Sequence, residues 1–79
     1  MTMIPKNVLV DAYQETLGME KAASLLDEST AELGMQPAAS YSVADTKRII
    51  EHLKQKGGLV KIIASTIATR LILSGKFDQ

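Results

Sequence analysis

The chain has 79 residues, which is room for one hydrophobic core and one domain. It contains no Cys and a single His, so disulfides, thiolate metal sites and clusters of several histidines are excluded. Nine Lys and Arg balance nine Asp and Glu, and zero formal charge gives little long-range attraction to nucleic acid.

The apolar share of 46% is that of a globular chain rather than a disordered one. A core this small is marginal unless something staples it, and oligomerisation is the staple that remains.

Met1 to Lys6 reads as a loose start. Pro5 suits the first turn of a helix, where a missing N–H costs nothing, and Asn7 is an alternative N-cap. The first helix runs to about Leu17. Leu9, Tyr13 and Leu17 recur at i, i+4 and i+8 with Val10 beside them. Gly18 suits a position just past a helix end. The pattern fits two helices separated there, or one helix kinked there.

Met19 to Leu33 is the clearest amphipathic segment. Met19, Ala22, Ala23, Leu26, Thr30 and Leu33 share one side, opposite Glu20, Lys21, Ser24, Asp27, Glu28 and Glu32. Gly34 and then Pro37 end it. Met35 to Tyr41 reads as a loop.

Ser42-Val-Ala-Asp45 has the form of a capping box opening a third helix. Thr46, Ile49, Ile50 and Leu53 form its inward face, and Lys54 and Lys56 suit the negative end of its dipole. Gly57-Gly58 turns the chain into its most apolar stretch, Leu59 to Ser74.

That stretch is read as a helix because Ile62-Ile63 and Leu71-Ile72-Leu73 break the alternation a strand needs. Val60, Ile63, Ala64, Ile67 and Leu71 fall in one arc, with Lys61, Ser65, Thr66, Thr69 and Arg70 mostly opposite. Ile62 and Leu73 fall among those polar residues, and Ile72 sits near Lys61 and Ser65. A helix apolar on more than one side is usually covered on more than one side. The simpler reading is that this is the central helix of a small bundle, covered by its own chain; the other is an intermolecular contact, for which Leu59, Ile62, Ile72 and Leu73 are the candidate interface residues. Gly75 ends the helix, and Lys76 to Gln79 is a short tail.

Four helices with short connections predict an all-α fold, a small antiparallel bundle spanning residues 1–79 as one domain. No second strand is visible, so no sheet is expected. The opening residues lack the basic start of a secretory signal. The run from Leu59 to Leu73 is shorter than the ~20 residues a bilayer needs, and it carries Lys61 and Arg70. A cytoplasmic protein is the expectation.

The charge is unevenly spread. Residues 1–39 carry Lys6 and Lys21 against six carboxylates, and residues 40–79 carry seven basic residues against Asp45, Glu51 and Asp78. The basic half could meet an anionic partner. The simpler reading is that the two halves complement each other, within the chain or across a dimer.

Arg48, His52 and Lys56 are spaced by four and form a basic ladder able to hold a phosphate. His52-Leu-Lys-Gln-Lys-Gly57-Gly58 resembles the phosphorylated segment of histidine phosphotransfer domains, which are helical bundles with Lys and Gly soon after the His. Here the Lys-Gly pair lies two residues further on.

Thr30-Ala-Glu-Leu-Gly34, then Lys47 to Leu53, then Lys56-Gly-Gly-Leu-Val60 is similar to the order of pieces in winged helix-turn-helix regulators. The loop before the second helix is longer than in those proteins, and a helix stands where their wing would be. Lys47, Arg48, His52, Lys54 and Lys56, basic residues on and just after the third helix, are the candidate contacts to an anion or a nucleic acid.

No phosphate loop is present, because Gly57-Gly58 lacks the Lys-Ser/Thr it requires. No Ser or Thr is paired with a base in a recognisable pattern. The expected function is therefore a non-enzymatic interaction or oligomerisation module without cofactor, regulatory or scaffolding, whose partner is itself or another protein. A small DNA-binding regulator using the basic third helix is the alternative, and a histidine phosphotransfer-like module comes after it.

Overall fold

A computed structural model describes residues 3–75. Its elements are β1 (Met3–Pro5), α1 (Lys6–Leu17), α2 (Met19–Glu32), β2 (Ser40–Ser42), α3 (Val43–Lys54) and α4 (Gly58–Leu73). The expected tail from Lys76 to Gln79 lies outside the described residues, as do Met1 and Thr2.

The fold is mostly helical, with the four expected helices, but it also contains a small sheet. β1 and β2 pair antiparallel, with Met3 opposite Ser42, Ile4 opposite Tyr41 and Pro5 opposite Ser40. This corrects the loose start at Met3–Pro5, the loop extended to Tyr41 and the absence of a sheet. Strands of three residues are too short to display an alternating pattern. The pairing turns Ile4 and Tyr41 to one side, where both are buried. An isolated two-stranded ribbon is marginal in water. Here both strands lean on α1 and α3.

The ribbon also settles where α1 begins. Pro5 is extended and occupies the N-cap position, with no side-chain cap. The first N–H groups of a helix have no partner within it. The Lys6 N–H donates instead to the carbonyl of Ala39 at 2.9 Å.

Gly18 separates α1 from α2 by a single residue, at φ 86° and ψ 160°. That region is open essentially to Gly alone. Its N–H donates to the Gln14 carbonyl, and its own carbonyl accepts from Ala22 N–H. One residue thus closes one helix and opens the next.

α3 follows its sequence closely. The Asp45 N–H donates to Ser42 Oγ at 3.2 Å, which is one half of the capping box. The Asp45 carboxylate turns toward Arg48 rather than back to Ser42, with Oδ1 3.7 Å from Nη1. Thr46, Ile49, Ile50 and Leu53 are all buried. On α2 the expected face is buried at Ala22, Leu26 and Thr30, and Ser29 joins it. Met19, at the start of that face, is 62% exposed.

α1 packs chiefly against α2, and α3 against α4. α4 meets only α3 and α1 among the described elements. Its inner face supplies Ala64, Ile67 and Leu71 to the core. Tyr13 on α1 donates its hydroxyl to the Val60 carbonyl at 2.8 Å, fastening the start of α4. Among the described residues, nothing covers the opposite side of α4. No helix among the described residues is long and apolar enough to cross a membrane.

Candidate interaction surface

The outer side of α4 carries an apolar stripe. With roughly 100° between neighbours, residues spaced alternately by three and four stay on one face. Leu59, Ile62, Thr66, Thr69 and Leu73 have that spacing and lie opposite the buried arc. The stripe extends for about 21 Å along the helix axis. Leu59 is 58% exposed, Ile62 60% and Leu73 80%.

The two threonines fit this face better than their polarity suggests. Thr66 Oγ1 donates to the Ile62 carbonyl at 3.1 Å, and Thr69 Oγ1 to the Ser65 carbonyl at 3.0 Å. Both hydroxyl protons are therefore used within the helix. Gly58 and Ser65 are small residues beside the stripe, and with Ile62, Thr66 and Thr69 they line a shallow open groove. Small side chains there allow another backbone to come close.

Of the four apolar interface candidates, three are grouped by the structure. Ile72 is set apart. It is half-buried and packs against the core. Thr66 and Thr69, read from sequence as part of the polar face, complete the stripe. The alternating spacing of three and four was the signal for them.

The basic candidates on and after α3 stand in a different setting. Arg48 faces Asp45. Lys54 Nζ lies 3.5 Å from Glu51 Oε1. His52 Nε2 and Lys56 Nζ converge on one carboxylate, at 3.3 and 3.4 Å from Glu32 Oε1. His52 Nε2 is buried and makes no well-aligned hydrogen bond with that oxygen. His52 and then Lys56 hold the Glu32 carboxyl below its ordinary range. Glu32 ends α2, so these contacts tie α2 to α3 and the turn after it. Lys47 is exposed beside Arg48, Glu51 and His52. The basic ladder is thus largely engaged by the protein's own acids. Glu32 gave no local signal of this role, because its partners are far along the chain.

Among the described residues, no group of three His, Cys, Asp or Glu side chains is placed to hold a metal ion. Comparison with protein-family models, with curated proteins and with solved structures finds no match to this chain.

Proposed function

We propose that this protein is a non-enzymatic helical interaction module that self-associates through the outer face of α4, in a regulatory or scaffolding role. The observation that carries this reading is the exposure of Leu59, Ile62 and Leu73 along one unpartnered helix face. Side chains of this size on a 79-residue chain are a costly use of apolar residues unless another surface covers them. The reading takes the four helices as an antiparallel bundle, on the strength of the one-residue joint at Gly18 and the short turn between α3 and α4. The cytoplasmic setting belongs to the same proposal and rests on the sequence alone.

Nucleic-acid binding is less well supported. Arg48, His52, Lys54 and Lys56 each lie within 4.0 Å of a carboxylate. A phosphate backbone would have to displace those carboxylates before gaining its own contacts.

The test is molar mass by light scattering across a dilution series, for wild type and for Ile62→Lys and Leu73→Lys. These positions are exposed, so the variants should keep the wild-type circular dichroism, with the melting temperature of wild type diluted to its monomer. Mass that rises with concentration in wild type, and stays monomeric in both variants, is the expected result. A wild type that remains monomeric into the millimolar range overturns the proposal.

A further inference from the structure

We propose that the occupant of the α4 face is the acidic α1–α2 surface of a second copy of this chain. This rests on the reading of α4 as an interaction surface and goes on to say what covers it. The argument starts from the charges left over once internal pairs are set aside. Lys6 is paired with Asp27, and Asp45, Glu51 and Glu32 are paired with the basic residues on and after α3. Among the described residues, the carboxylates with no cation within 4.0 Å are Asp11, Glu15, Glu20 and Glu28. All four lie on α1 and α2. Lys61 and Arg70 of α4 likewise have no carboxylate that close, and α4 contains no acid at all.

The two surfaces also match in the spacing of their charges. On α4, Lys61 and Arg70 flank the apolar stripe, about 13 Å apart along the axis. On α2, Glu20 and Glu28 are about 12 Å apart along the axis. They border a shallow groove lined also by Leu17, Ser24, Leu25 and Val60 from the first turn of α4, and the exposed Met19 stands nearby. Lys21 borders the groove too, and the carboxylates remain in excess. The α4 face, with an apolar stripe flanked by two cations, can therefore dock against a partly apolar surface edged by two anions. Contact between two stripes of α4 would instead bring cations to cations. Because the joined faces are unlike, the contact repeats from copy to copy unless a symmetry axis closes it. One helix face is small beside the ~800 Å² per partner of a standard interface, so weak association is expected.

The experiment uses the full chain with two double variants, Lys61→Glu/Arg70→Glu and Glu20→Lys/Glu28→Lys. Light scattering is measured on each alone, on the two mixed, and on each mixed with wild type. Each variant alone should need at least tenfold more protein than wild type to associate. Their equimolar mixture should recover wild-type association or better, more strongly at low salt. If Glu20→Lys/Glu28→Lys associates as wild type does while Ile62→Lys does not, α4 stands as an interaction surface and this pairing is overturned. Preferential association of Lys61→Glu/Arg70→Glu with wild type, and indifference to the acidic-face variant, would show a symmetric α4–α4 contact and also overturn it. Failure of Ile62→Lys to alter association would instead strike at the α4 reading itself.

Discussion

The Tyr13 hydroxyl donates to the carbonyl of Val60 across 2.8 Å, joining the middle of α1 to the first turn of α4 over 47 residues of sequence. Burial pushes the Tyr13 phenol from 10.0 up to about 12. An acid whose folded-state pKa is raised favours the folded state while it stays protonated. Its contribution is fully present below pH 10 and is lost as pH rises toward 12. Thermal melts should therefore fall steeply across that alkaline window. Tyr13→Phe should cost about 1 kcal/mol at neutral pH through the lost hydrogen bond and should flatten the alkaline fall. An unchanged alkaline limb in Tyr13→Phe would place the pH sensitivity elsewhere.

Two buried hydroxyls have no hydrogen-bond partner among the described residues, Ser29 Oγ and Tyr41 OH. A buried polar group without a partner costs free energy, and removing it relieves that cost. Ser29→Ala should raise stability by about 1 kcal/mol, helped by the better helix propensity of Ala. Tyr41→Phe should act in the same direction. Urea midpoints measure both, and a drop in either would reveal a partner for that hydroxyl.

Gly18 is held at a positive φ with open space where a Cβ would stand. Any penalty of substitution there comes from the backbone and not from a clash. Gly18→Ala should cost roughly 1–3 kcal/mol, seen as a lower melting temperature. Wild-type stability in that variant would mean that the joint between α1 and α2 can be remade in another conformation.

Glu32 is fully exposed, yet His52 and Lys56 hold its carboxyl below the ordinary 4.5. Carbon-detected NMR titration should show that depression, with His52→Ala and Lys56→Ala each relieving part of it. A depressed carboxyl stabilises the fold above its ordinary pKa, and the effect disappears as pH falls through the folded value. The energy at stake is small because the group lies in water. Glu32→Gln should leave stability near wild type while freeing Lys56, and weak phosphate binding should rise if the basic ladder is otherwise competent.

Local patterns carried much of this protein. The four helices and the inward faces of α3 and α4 follow from 3.6-residue periodicity and from residues whose backbone preferences act locally, which left open whether Gly18 separates two helices or kinks one. That Ile62 and Leu73 stand off the main apolar arc was legible in the same way, but whether a neighbouring helix of the chain covers them was not. The pairing of Ile4 with Tyr41 was not legible. Three-residue strands have no period to read, and their stability comes from a surface built by helices distant in sequence. The half-burial of Ile72 and the Glu32 contacts with His52 and Lys56 were hidden for the same reason. Sequence alone determined which residues form helices and which side of each is apolar. Only the tertiary structure decided which apolar sides find cover within the chain, because burial depends on neighbours brought together from far along it.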